Sequence, residues 1–145
     1  DLAARASEMS IAGDYEFFER PEWKAHKKAY GLNFRETREM QSTFMYRAVA
    51  DGAIDVISGY TSDGQIAQYD LVVLDDPKQS LPPYDAILLL SPRRAEDAKF
   101  RSALEPLIGR ISTKRMREAN LSVSRAADQR TPEQAAEELW RDIAK

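Results

Sequence analysis

The sequence predicts an α/β chain with a mainly parallel sheet, organised as two incomplete lobes. Three observations predict it. Strand-like and helix-like stretches alternate through the first half, the pattern of β-α-β units. One unit is clear: Ser42 or Thr43 caps a helix running through Ala50, and Asp51-Gly52 then turns the chain into an apolar strand at residues 53–58. Beyond Glu96, three helical stretches follow a single strongly apolar strand, and one strand cannot cover three helices. The second half therefore reads as the returning part of a lobe whose main sheet lies upstream of residue 1.

The elements follow in order. Asp1-Leu2-Ala3-Ala4-Arg5-Ala6 reads as the tail of an amphipathic helix and not as a leader, so something upstream is expected to have been removed. Residues 9–12 form a short strand ending at Gly13-Asp14. Residues 21–30 form a helix, with Pro21 in its first turn and Gly31 as its stop. Residues 34–40 alternate loosely as a second strand. After the strand at 53–58 comes the loop Gly59-Tyr60-Thr61-Ser62-Asp63-Gly64, at a strand C-terminal end where open α/β sheets place ligands. Residues 71–74 and 86–90 read as further strands, separated by Asp75-Asp76-Pro77 and Pro82-Pro83. Helices are expected at 96–108, 113–121 and 132–144, the last capped by Thr131. The break at 75–83 divides residues 1–76, one lobe, from residues 77–145, a crossover and part of the other.

Composition excludes several function classes. In 145 residues, 43% hydrophobic and 31% charged, the chain is too apolar to be disordered. A net charge of −3 with interspersed signs makes no basic stripe, so nucleic acid is not an expected partner. The longest apolar run, Ala86-Ile87-Leu88-Leu89-Leu90, is far short of the roughly 20 residues that span a bilayer. Zero cysteines exclude disulfides and thiolate chemistry. The single histidine, His26, stands among Lys24, Lys27 and Lys28 and is expected to be solvated. Asp75-Asp76 and Glu137-Glu138 look like a turn and a helix surface, and nothing in their spacing makes Asp55 and Asp63 a catalytic pair. With no phosphate-binding glycine loop and no nucleophile elbow, neither a cofactor, a metal nor an enzymatic activity is expected.

The aromatics are more informative. Tyr30 and Tyr46 fall in or at the ends of helices and suit a core, whereas Tyr60 and Tyr84 each follow glycine or proline in a loop. Aromatic faces around a cavity attract a cation that cannot donate hydrogen bonds, at about 0.5–2 kcal/mol per desolvated contact. A zwitterionic ligand would also need a fixed donor for its carboxylate. Arg20, beside Phe17-Phe18, is the candidate, with a surface ion pair to Glu19 or Glu22 as the plainer alternative.

These segments resemble the substrate-binding proteins of osmoprotectant ABC importers, which take up glycine betaine, choline, carnitine and related compounds. The resemblance rests on Glu16-Phe17-Phe18-Glu19-Arg20-Pro21, Lys28-Ala29-Tyr30-Gly31-Leu32, Met45-Tyr46-Arg47-Ala48, Asp55-Val56-Ile57, the 59–66 loop, the run from Tyr69 to Asp76 and Pro82-Pro83-Tyr84-Asp85-Ala86. It covers residues 8–90 well and the helical remainder more loosely. It implies a type II periplasmic-binding-protein-like fold of two lobes that close on ligand, with 1–76 as the second lobe. Tyr60 and Tyr84 then match cage tyrosines, Arg20 a position that holds ligand or the closed state, and Thr61 and Asp63 flank the cage. The implied protein is periplasmic or otherwise extracytoplasmic, and its partner is a membrane permease. The chain departs from the family in its shorter length and in Pro21-Glu22-Trp23-Lys24-Ala25, which lacks a glycine loop and would put Trp23 near the cleft or merely lengthen the helix. A ligand-sensing effector domain of a regulator is the alternative function. If these residues are a whole polypeptide, the unaccompanied strand at 86–90 predicts a swapped or otherwise intimate homo-oligomer.

Overall fold

The computed structural model describes residues 1–143. Two compact units are present: residues 1–60 with 69–83, and residues 61–68 with 84 onward.

In the first unit, α1 (Leu2–Arg5) runs into a 3-10 turn and then β1 (Ser10–Gly13). A second 3-10 turn, Phe17–Glu19, leads into α2 (Pro21–Tyr30), followed by β2 (Glu36–Glu39), α3 (Ser42–Ala50) and β3 (Val56–Ile57). All pairings are parallel in the order β2-β1-β3, with Ser10 opposite Glu36 and Ile11 opposite Val56. The bounds of α2 are those its sequence predicts. Pro21 stands in the first turn, where its missing N–H costs nothing, and Gly31 adopts the left-handed conformation at φ 64° that ends the helix.

Because side chains alternate across a strand, neighbouring residues of β1 build two different cores. Ile11 packs with Trp23 and Leu32, supported by Phe17, Phe18 and Phe34. Ala12 points the other way, onto Met45 and Ile54. All four residues of β1 are buried, as a central strand requires, whereas β2 is an exposed edge carrying Glu36, Arg38 and Glu39.

The expected strand at 53–58 shortens to two residues because of a contact with β1. The Asp55 carboxylate, in place of a backbone carbonyl, accepts the Ser10 amide at 2.8 Å and the Ser10 hydroxyl at 2.8 Å. Ser10 Oγ in turn accepts the Asp55 amide at 3.2 Å, so side chains close the sheet where a ladder would continue.

Residues 71–74 and 86–90 are not strands. Their composition favours β structure, but neither run has a neighbouring strand to pair with, and a strand exists only in a ladder. Val72 is 84% and Leu89 86% exposed. The turn between them is firmly held within the first unit. Asp76 accepts bonds from Tyr30 Oη and from the Leu81 amide at 2.9 Å. Lys78 donates its amide to Tyr30 Oη at 2.8 Å and its ammonium to the Ala29 carbonyl at 2.5 Å.

The second unit is helical: α4 (Gly64–Gln68), α5 (Pro92–Ala95), α6 (Ala98–Leu104), a 3-10 turn at Glu105–Leu107, α7 (Thr113–Ser124) and α8 (Pro132–Ile143). The helix expected at 96–108 starts and stops within that range. Asp97 caps α6 by accepting the Phe100 amide at 3.0 Å, and Pro106, which has no N–H to donate, breaks its hydrogen-bond ladder. Thr131 caps α8 as expected, in a reciprocal box: its hydroxyl accepts the Gln134 amide at 3.3 Å while Gln134 Oε1 accepts the Thr131 amide at 2.9 Å. The expected end of this helix at Ala144 lies outside the described residues. Among the described residues, Ile66, Ala135 and Ile143 are the unit's buried apolar ones. Among the described residues, no helix is long and apolar enough to cross a membrane.

Candidate functional site

Parallel neighbours β1 and β3 release their following loops at the same end of the sheet, the end where α/β proteins gather ligand residues. Arg20 follows β1 after the Phe17–Glu19 turn, and Tyr60 follows β3. The guanidinium and the tyrosine hydroxyl meet there. Arg20 is held above its ordinary pKa by the charge of Asp14 first and by its hydrogen bond to Tyr60 second. Its ion-pair partners are Glu16 at 3.3 Å and Asp14 at 3.7 Å. The alternative pairing with Glu19 or Glu22 is not the one formed; Glu19 lies against Lys24 instead, at 3.4 Å. Arg20 is thus a positioned cation, and the Tyr60 ring beside it remains 55% exposed.

Thr61 and Asp63 belong to the second unit. The Thr61 carbonyl accepts Arg117 Nε at 2.7 Å, and the Ser62 carbonyl accepts Asn120 Nδ2 at 2.9 Å. The Asp63 carbonyl accepts the Ile66 amide at 3.2 Å as α4 begins. Tyr84, directly after Pro82-Pro83, also falls in the second unit and is 55% exposed. The structure therefore brings Arg20 and Tyr60 together within one unit and places Thr61, Asp63 and Tyr84 in the other.

Trp23 lies within α2, so the run Pro21-Glu22-Trp23-Lys24-Ala25 does lengthen the helix. Its side chain is buried in the first core, with Phe17, Phe18 and Phe34 rings 5.1–6.3 Å away. His26 is half-buried and not solvated: Nδ1 lies 2.6 Å from Ser80 Oγ, and the ring packs 5.0 Å from Tyr30. Burial lowers its pKa, against a smaller raising effect of Asp76. Lysine neighbours in sequence misled the expectation, because the partner that covers His26 is 54 residues away. Asp55 is accounted for by Ser10, as a structural carboxylate.

The arrangement has the chemistry of a binding site for a small charged solute. A fixed guanidinium suits a carboxylate, and an adjacent exposed aromatic face suits a cation. Two open surface concavities lie elsewhere, along α7 and α8; the larger, about 390 Å³, is lined by charged residues including Arg115, Glu118 and Arg130. Among the described residues, no group of three or more histidine, cysteine or carboxylate side chains is placed to hold a metal.

A family model described as the substrate binding domain of ABC-type glycine betaine transport systems matches residues 1–142. The chain belongs to that family. The carnitine transport binding protein OpuCC of Listeria monocytogenes is 32% identical over 123 residues, 83% of this chain and 40% of that protein. The glycine-betaine-binding protein of Pseudomonas aeruginosa is 29% identical over 136 residues, 91% of this chain and 43% of its own length. EgtU of Helicobacter pylori, a combined ergothioneine transport permease and binding protein, is 32% identical over 85% of this chain and 23% of its own. A solved glycine betaine/carnitine/choline ABC transporter structure superimposes with a TM-score of 0.82 at 32% identity, over 97% of this chain and 52% of that one. The fold is accordingly the α/β, periplasmic-binding-protein-like one, and the family is one of transport components, not of enzymes. The chain spans about half the length, or less, of the relatives it matches.

Proposed function

We propose that the chain is part of the extracytoplasmic, periplasmic-type binding component of an ABC importer, taking a quaternary ammonium osmoprotectant and handing it to a membrane permease. The observation that carries this proposal is the Arg20–Tyr60 pair at the sheet's ligand end, in a chain of this family. Tyr60 and Tyr84 are two walls of an aromatic cage for the trimethylammonium head. Arg20 takes the ligand's carboxylate, and Thr61 and Asp63 flank the cage. In lobe terms, residues 1–76 form the second lobe, and 77–145 the crossover and the returning part of the first. The match to a transport family favours this proposal over a regulator's effector domain.

A guanidinium beside the cage has a consequence for selectivity. It attracts a zwitterion's carboxylate and offers nothing to choline, which carries only the positive head. Calorimetric titration with glycine betaine, carnitine, ergothioneine and choline should therefore give heat with the zwitterions and weaker binding of choline. No heat with any of the four, on folded protein, would sink the proposal. Tyr60→Ala or Tyr84→Ala should weaken binding by one cation–π contact, from about twofold to about thirtyfold; unchanged affinity in both removes them from the cage.

The exposed runs at 71–74 and 86–90 are the reason to expect association of this chain with a second copy by strand exchange, if no other polypeptide covers them. Light scattering that gives a monomer at all concentrations would dismiss it.

A further inference from the structure

The loop from Tyr60 to Gly64 has little internal order to hold it. The strand before it is two residues long, the helix after it five, and the carbonyls of Thr61 and Ser62 enter neither. What fixes them is a single face of α7. Positions 117, 120 and 121 are three and four residues apart, so they lie side by side on the helix. Arg117 Nε meets the Thr61 carbonyl at 2.7 Å, and Asn120 Nδ2 meets the Ser62 carbonyl at 2.9 Å. Gly64 completes the row by lying against the helix backbone itself. A Cβ there would stand 2.7 Å from Leu121 Cα and 2.8 Å from the Asn120 carbonyl carbon, closer than real atoms approach.

We propose that Arg117 and Asn120 are positioning residues for the ligand loop, holding Thr61 to Asp63 in its binding geometry before ligand arrives. The role rests on the binding function proposed above. Neither side chain is asked to touch ligand. Their contribution is to remove the ordering cost that a loose loop would pay on binding, which appears directly as lost affinity when the restraint is removed. Gly64 makes the approach possible, and the two side chains then select one register of loop against helix.

The test compares Arg117→Ala, Asn120→Ala, their double variant, Arg117→Lys and a control, Lys114→Ala, whose side chain on the same helix is 84% exposed. Alanine keeps α7 helical, so the substitutions act on the loop and not on the helix. Hydrogen exchange in the ligand-free chain is read at residues 61–68 against residues 21–30 of α2. Each alanine should accelerate exchange at 61–68 by about fivefold, with the double variant faster still, and leave α2 unchanged. Arg117→Lys, which retains a donor, should restore much of the protection, and Lys114→Ala should match the wild type. Glycine betaine affinity should fall by about fivefold for each alanine variant. Gly64→Ala should produce the same selective loosening with both side chains intact.

Unchanged exchange at 61–68 in the double variant overturns the proposal. So does accelerated exchange with unchanged affinity, which would make the contacts structural only. If the wild-type chain gives no heat with glycine betaine, carnitine, ergothioneine or choline, it is the ligand assignment that fails. The ordering of the loop by α7 is then decided by the exchange data alone.

Discussion

β1 (Ser10–Gly13) and the two apolar runs at 71–74 and 86–90 have opposite fates, although the runs carry the more strongly β-forming side chains. Ile11 and Ala12 vanish into two cores because β1 has a partner on each side and a helix over each face. Val72, Ile87 and Leu89 stand in solvent because their backbones pair with nothing. The difference teaches that β propensity measures fit to a pleated, half-buried surface, and that without the surface the same side chains specify no structure.

The largest effect that would sharpen this contrast is expected at Trp23. Its ring joins Phe17, Phe18 and Phe34 around Ile11, and Trp23→Ala should cost about 3–5 kcal/mol in denaturant titration. A loss below about 1 kcal/mol would mean that this core is not what holds the first unit together.

An intermediate effect comes from acid, through the polar network on α2. The folded chain keeps His26 below its ordinary 6.5, chiefly through burial, and so prefers it neutral. The stability this provides is present above about pH 6.5 and is lost as pH falls from there through the folded value. Asp76 acts in a lower window. Hydrogen bonds from Tyr30 first and the Leu81 amide next hold it at about 2 against an ordinary 3.8, so its contribution persists above about pH 4 and disappears toward pH 2. The melting temperature should fall in two steps on acidification, and His26→Gln should abolish the upper step alone. An identical upper step in that variant would show that another group causes it.

The smallest effect is expected at Leu89. It is 86% exposed, so Leu89→Gln should change stability by no more than about 0.5 kcal/mol, as for an ordinary surface site. A cost approaching that of Trp23→Ala would break the contrast, because it would mean that this side chain is covered in solution.

How much was legible from the sequence divides along the same line. Boundaries set by local chemistry were readable: Pro21 and Gly31 for α2, Thr131 for the start of α8. The β-α-β order was readable because periodicity reports burial. Features that depend on distant residues were not. His26 looked solvated because its cover, Ser80, is remote in sequence, and the shortening of β3 depends on Ser10 meeting Asp55 across 45 residues. At the candidate site, Arg20 and Tyr60 were recognisable as individuals by family resemblance. Their contact required the parallel register of β1 and β3, which spacing does not encode. Arg117 and Asn120 gave no signal, since a side chain donating to a backbone carbonyl leaves no pattern in the acceptor's sequence.

The charged edge strand β2 bears on handling the protein at high concentration. Glu36, Arg38 and Glu39 line the open side of the sheet, and an incoming strand would have to bury alternating charges to extend it. Self-association by that route is discouraged, while Ile87, Leu88 and Leu89 have no charge among them and rely on the flanking Asp85 and Pro92-Arg93. Precipitation on storage or concentration should therefore nucleate at residues 86–90, and a lysine placed there would improve solubility where one placed in β2 would not.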